Sequence, residues 1–406
     1  MTLQTSRMGQ QCRGRHSVTI GIGRLPTKPP FPTRLTIRFE LANGGRPSRV
    51  EPPATFRTRP KRSLTFPASR RNTAETLLPS AATQSPARKT VEQIECRQQY
   101  CRMTTSFLPA ATPRRALYQG GPEVSSIAWG MWRFGGHEVA AAEARVSAAL
   151  DAGVILFDTA DIYGPDNNEP FGAAETLLGR VLAHNRSLVK RMVIATKGGI
   201  VMGVPYDSSG AYLRSAIDAS LTRLGIDQVA LWQIHRPDSL THPAETARAL
   251  EDAHRAGKIG AIGVSNFTAS QTAALQAHSA LPIVSCQQEF SPLEIAPLTD
   301  GVVDFALARS LTVLAWSPLG GGRLASPKDD RAKAVAQALD NIARAYDVSR
   351  AAAAYSWIMA HPARPIPIVG TQTSSRIAEI PDAYKPRWTR SDWYQVLVAS
   401  RGERLP

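Results

Sequence analysis

The sequence predicts an eightfold βα barrel preceded by a basic arm, and three observations point that way. Eight short apolar runs alternate with longer amphipathic stretches from about Ser125 onward. Most of these runs are near-continuous in hydrophobicity, as strands of a parallel sheet covered on both faces are. The span 122–381 measures 260 positions, close to the ~250 residues such barrels take. A doubly wound open sheet is the rival, and it wants a Gly-x-Gly-x-x-Gly turn after a first strand. Gly198, Gly199 and Gly203 do not have that spacing.

The predicted strands are 125–130, 154–159, 192–197, 229–235, 261–265, 283–288, 312–317 and 367–370. Between them, Leu213, Ile217, Leu221 and Leu224 recur at helical spacing on one face. Gly153, Gly225 and Gly257 each stand just past a helix and just before a strand, where a left-handed cap favours a residue without Cβ. Pro243 suits a first helical turn after Thr241 and His242. The segment 330–362 reads as helical throughout. The tail, with Trp388, Trp393 and Tyr394, is expected to pack a last helix on the barrel, with Asp392 near its start.

The charge is unevenly placed. The chain carries 48 Lys and Arg against 33 Asp and Glu, a net +15, but residues 1–102 hold 19 basic and five acidic residues, so the remainder is nearly neutral. Residues 1–102 also hold 11 of the 30 prolines and no lasting apolar period, too little to offset the entropy of ordering. We draw the boundary at 112, with an arm of 1–112 and a barrel of 113–406. Three readings of the arm stay open: a disordered basic arm, an organellar transit peptide, or upstream sequence ahead of a true start at Met103. We favour the third, because Met103 opens a short polar lead-in to the first strand. Aromatic residues are not interleaved with the arm's charges, which argues against stacking on nucleic acid. No apolar run reaches the ~18 residues of a membrane span. The four cysteines show neither zinc spacing nor a disulfide framework. A reducing, cytoplasmic setting is expected, and the oligomeric state is left open.

In such barrels chemistry gathers where the strands end. The second run ends in Asp158, with Tyr163 one short turn beyond; the third ends in Lys197; the fourth ends in His235. Each alone has a structural explanation, as a turn cap, a solvated amine or a strand-end hydrogen-bonding group. Three consecutive strands nonetheless deliver an acid, an amine and an imidazole to one rim. A cation beside the phenol favours its anion, moving the proton toward the working range.

These residues carry a resemblance. Asp158-x-Ala160-x-x-Tyr163-Gly164, Thr196-Lys197, Ile234-His235, Gly263-Val264-Ser265-Asn266-Phe267 and Trp316-Ser317-Pro318-Leu319-Gly320, in that order, resemble the aldo/keto reductase family over roughly residues 115–400. Met131-Trp132-Arg133 and the Gly320-Gly321-Gly322 loop resemble a bacterial branch of it. The resemblance implies reduction of an aldehyde or ketone. Tyr163 would be the general acid, Lys197 held by Asp158 would tune it, and His235 would orient the carbonyl oxygen. Asp161, between the matched positions, is expected to face the loop.

The resemblance also implies a nicotinamide cofactor, with NADPH preferred over NADH. Ser265, Asn266 and Gln288 match the carboxamide contacts, and Trp316 matches a stacking ring. Ser317, Leu319 and Gly321 lie in the loop suited to the pyrophosphate, and Gly370, Thr371 and Arg376 in the loop that holds a 2′-phosphate. Gly370 stands where many members carry lysine, whereas the Arg376 guanidinium suits phosphate. Gln287 departs from the common Asn, which touches only a contact one step removed from the cofactor. Trp132 and Arg236 are expected at the substrate pocket, and no metal is called for. The alternative is a cofactor-binding regulatory or interaction subunit with the same fold and little turnover.

Overall fold

The computed structural model describes residues 106–406. The expectations for the arm, including a start at Met103, lie outside the described residues apart from 106–112. Those residues already belong to the barrel's body. Phe107 bridges to Thr389, and the Leu108 amide donates to the Trp388 carbonyl at 2.7 Å. The body therefore reaches back past the boundary expected at 113.

Strands β1 (Arg114–Ala116) and β2 (Glu123–Ser125) form an antiparallel hairpin. Then come β3 (Ala128–Gly130), β4 (Leu156–Asp158) and β5 (Val193–Gly198). A second hairpin follows, β6 (Ile200–Val201) with β7 (Val204–Tyr206). The remaining strands are β8 (Leu231–Ile234), β9 (Ile262–Ser265), β10 (Ile283–Glu289), β11 (Thr312–Trp316) and β12 (Ile366–Val369). The helices are α1 (Val139–Asp151), α2 (Ala173–His184), α3 (Gly210–Leu224), α4 (Pro243–Arg255), α5 (Ala269–His278), α6 (Val302–Arg309), α7 (Asp330–Tyr346), α8 (Arg350–Met359), α9 (Ser374–Ala378) and α10 (Arg390–Arg401).

β3, β4, β5 and β8 to β12 close into a parallel barrel in chain order. The closing pair sets β12 beside β3, with Ile368 opposite Ala128 and Val369 opposite Trp129. Each of the eight predicted strands is present, shifted by no more than a few residues. The first run, 125–130, proves to be the end of β2 followed by β3: Ser125 turns aside, its hydroxyl donating to the Ile127 carbonyl at 2.6 Å. The helix expected over 330–362 is two helices, broken where Asp347 adopts φ 48° and ends α7. α4 starts at Pro243 behind His242, whose ring nitrogen accepts from the Ala244 amide. Gly225 ends α3 at φ 64°. α10 opens on a capping box between Thr389 and Asp392.

The barrel's lower interior is apolar. Ala128, Leu156, Ala195, Leu231, Val284, Leu314 and Ile366 meet there, and the first hairpin plugs the end with Leu117 and Val124. A second core joins α7, α8 and α10, where Trp357 and Trp393 stack at 4.8 Å and each indole donates to the other's carbonyl at 3.1 Å. No helix among the described residues is long and apolar enough to cross a membrane.

Candidate active site

The upper interior is built from the same strands and is polar. Asp158 lies two positions beyond Leu156, Lys197 two beyond Ala195, and Gln233 two beyond Leu231, so the period of two puts each on the inner face. The Lys197 ammonium, 0% exposed, lies 2.6 Å from Asp158 Oδ2 and donates to the Thr159 carbonyl at 2.7 Å. Asp158 Oδ1 accepts from Gln287 at 2.9 Å and from Gln233 at 3.4 Å. Gln287 thus acts on the carboxylate that holds the lysine, a larger part than the sequence suggests. Gln233 was missed altogether. It precedes His235 by two, so strand alternation alone could have found it.

Lys197 Nζ stands 5.0 Å from the centre of the Tyr163 ring, and that ring meets His235 edge-on at 5.9 Å. The four predicted catalytic residues therefore form one connected group at the C-terminal mouth of the barrel. Burial works against the Lys197 charge, yet Asp158 and Tyr163 hold its affinity for a proton above the ordinary lysine range. Burial, followed by the nearby Lys197 and Arg236 charges, pushes His235 well below its usual range, so the imidazole is neutral. Its Nδ1 is buried without a hydrogen-bond partner. Burial raises the Tyr163 phenol above its ordinary value, with Lys197 pulling the other way. The net lowering that the sequence suggested is absent in the free site.

Asp161 is corrected as well. It does not face the loop: it is 1% exposed, and its Oδ2 accepts from the Tyr212 hydroxyl at 3.0 Å.

The predicted cofactor residues follow on the next strands. Asn266 donates to the His235 carbonyl at 3.1 Å and to Ser265 Oγ at 2.9 Å, and its Oδ1 accepts from the Trp316 indole at 3.0 Å. Gln288 is tied to the Phe267 carbonyl at 2.8 Å. Asn266 and Ser317, at φ 60° and 50°, hold left-handed backbone at the ends of β9 and β11, strain of the kind that gathers at functional rims. Beyond half-buried Leu319, Gly320, Gly321 and Gly322 are all at positive φ. Such a run needs glycine, and the Gly320 and Gly322 amides close turns onto the Ser317 and Leu319 carbonyls at 2.7 and 3.2 Å. Gly370 and Thr371 follow β12, with the Thr371 carbonyl accepting from the Trp129 indole at 2.8 Å. Arg376 stands apart on α9, exposed and with no ion-pair partner among the described residues. Arg236 lies over the Trp316 ring at 6.0 Å. Trp132, 42% exposed, donates to Asp166 Oδ2 at 3.0 Å.

Residues 126–397 match the model of the aldo/keto reductase family. The chain belongs to that family. Over 303 residues, 74% of this chain and 100% of the relative, this aldo/keto reductase is 56% identical to the 6-dehydroglucose reductase of Novosphingobium aromaticivorans. It is 33% identical to the 6-dehydroglucose reductase of Agrobacterium fabrum, over 70% of this chain and 96% of that one. It is 32% identical to the oxidoreductase YdhF of Escherichia coli, over 70% and 97%. A crystal structure of the thermostable aldo-keto reductase Tm1743 superposes with a TM-score of 0.62 at 22% identity, covering 71% of this chain and all of that one, a likeness of fold. The aldo/keto reductase is an oxidoreductase built on the barrel that the strand pattern predicted.

Proposed function

We propose that this aldo/keto reductase uses NADPH to reduce an aldehyde to an alcohol, with Tyr163 as general acid and 6-dehydroglucose as the first substrate to try. The observation that carries this reading is the placement of the Lys197 ammonium between Asp158, at 2.6 Å, and the Tyr163 ring, with neutral His235 edge-on to the same ring. The substrate suggestion rests on the two relatives named for that sugar aldehyde, one of them 56% identical along its whole length.

The residues present fit a nicotinamide dinucleotide. Ser265, Asn266 and Gln288 would hold the carboxamide, and Trp316 would lie against the ring. Ser317, Leu319 and Gly321 would offer backbone to the pyrophosphate. Gly370, Thr371 and Arg376 would take the 2′-phosphate, and the uncommitted guanidinium of Arg376 is the reason to prefer NADPH to NADH. The bound cofactor supplies a hydride for the carbonyl carbon. The chain's own part is the proton and the orientation. Tyr163 gives its phenolic proton to the carbonyl oxygen, Lys197 offsets the phenolate charge, and solvent later returns the proton. Asp158, fixed by Gln287 and Gln233, keeps the ammonium in place. His235 donates a hydrogen bond to the same oxygen and sets its angle, with Trp132 and Arg236 bordering the substrate.

Steady-state oxidation of NADPH with 6-dehydroglucose and a panel of small aldehydes tests the proposal. Turnover with at least one of them is expected, and fluorescence titration should show NADPH binding more tightly than NADH. Bound NADPH with no oxidation across the panel would replace the enzyme by the regulatory subunit.

A further inference from the structure

Behind the catalytic group lies a second buried polar cluster that the reaction does not use. Asp161 occupies the turn between Ala160 and Tyr163, closed by the Tyr163 amide donating to the Ala160 carbonyl at 3.2 Å. Its own amide donates to the Lys197 carbonyl at 2.9 Å, tying the tyrosine's loop to the lysine's strand. Its carboxyl accepts from Tyr212 of α3 at 3.0 Å, while Oδ1 is buried with no donor. Gly198, next to Lys197, makes the room: a Cβ there would lie 2.9 Å from Asp161 Oδ2. The neighbouring carboxylate, Glu175 of α2, is 0% exposed, but it is paired with Arg223 at 2.7 Å and accepts from Thr196 at 2.5 Å.

We propose that Asp161 is a positioning residue that works in its protonated form, its carboxyl fastening the Tyr163 loop to Tyr212 of α3 and keeping a second negative charge away from the phenol. This rests on the reading of Tyr163 as the acid. The groups facing Asp161 are Glu175 on α2, Tyr212 and Arg223 on α3, Tyr163 on its own loop, and Lys197 on β5. Arg223 and Thr196 satisfy the Glu175 carboxylate, whereas the Asp161 carboxyl has only the Tyr212 hydroxyl as a side-chain donor and an orphaned Oδ1. The absence of a donor at Oδ1 agrees, since an ionised carboxylate would leave that oxygen uncompensated. An ionised Asp161 would repel Glu175 and oppose the phenolate that Tyr163 must become. Burial and the Glu175 charge lift this carboxyl to about 7, which puts the change within reach of ordinary assays.

The test is kcat at saturating NADPH and aldehyde between pH 6 and 9, which removes pH effects on cofactor binding. The wild type should lose activity as pH rises through neutrality, on the order of tenfold for one added charge opposing the phenolate in a protein interior. Asp161→Asn should fold, keep the low-pH rate and show a flat profile. Tyr212→Phe, which removes a donor that favours the carboxylate, should move the inflection to higher pH. A wild type without the inflection, or an Asp161→Asn enzyme that retains it, overturns the proposal. Infrared spectroscopy gives a readout without turnover: a protonated-carboxyl stretch at pH 6 that disappears in Asp161→Asn is expected, and its absence in the wild type refutes the protonated state. A wild type that reduces no aldehyde but shows the band would fail the function above and leave the protonation of Asp161 intact.

Discussion

The two ends of the barrel's interior are built from the same strands, two residues apart, and differ in kind. At the lower end Leu156, Ala195 and Leu231 pack under the first hairpin. At the upper end Asp158, Lys197 and Gln233 replace them along the same inner faces. Burial is equally complete at both ends. What differs is how the cost is met: the lower layer gains from leaving water, whereas the upper one offsets desolvation with a 2.6 Å ion pair and two glutamine amide donors. Stability and chemistry are therefore separable by position along one strand, and substitutions should divide accordingly.

The sharpest division is expected at the acid. Tyr163→Phe should lower kcat by roughly 10²–10⁴-fold, the range of general acid catalysis, with urea denaturation and NADPH titration unchanged. Normal turnover would move the acid to another residue. Lys197→Met should impair both properties, because it strands the Asp158 charge in the interior. Removing one partner of such a pair costs about 3–5 kcal/mol, which equilibrium unfolding would measure.

Asp161→Asn should show a pH-dependent gain. A carboxyl at about 7 when folded and near 3.9 when unfolded contributes stability that is present below the unfolded value and lost as pH rises through about 7. Relative to the wild type, the variant should gain up to roughly 4 kcal/mol between pH 4 and pH 8, read from urea midpoints. Neutral buried His235 destabilises the protein on the acid side, but it is common to both chains and cancels. At the lower end, Leu231→Ala should cost about 3 kcal/mol while leaving kcat per folded molecule intact. A comparable loss of kcat would erase the division between the ends. A chain beginning at Met103 should match the full chain in kcat/KM.

The strand pattern was legible because burial on both faces leaves long apolar runs, and the polar residue ending each run stands out against them. Asp158, Lys197 and His235 were found that way. Tyr163 followed from its place one short turn beyond Asp158, whereas the cofactor loop needed the family resemblance, since it interrupts no periodic segment. Three features escaped. The first hairpin is too short to show a period, the 200–206 hairpin sits in what reads as a loop, and the break at Asp347 depends on one backbone angle. Asp161 was misplaced for a further reason: a polar residue in a turn is expected outside, and only the space above Gly198 and the Tyr212 hydroxyl let it turn inward.

The seam between β12 and β3 joins residues 240 positions apart. Contacts so distant in sequence form late and slow the search for the native state. As the ribosome makes the chain from its N-terminus, the acid, the amine and the imidazole all emerge long before the strand that locks the ring. A nascent chain therefore carries Tyr163, Lys197 and His235 well before Ile366–Val369 exists to close the barrel around them.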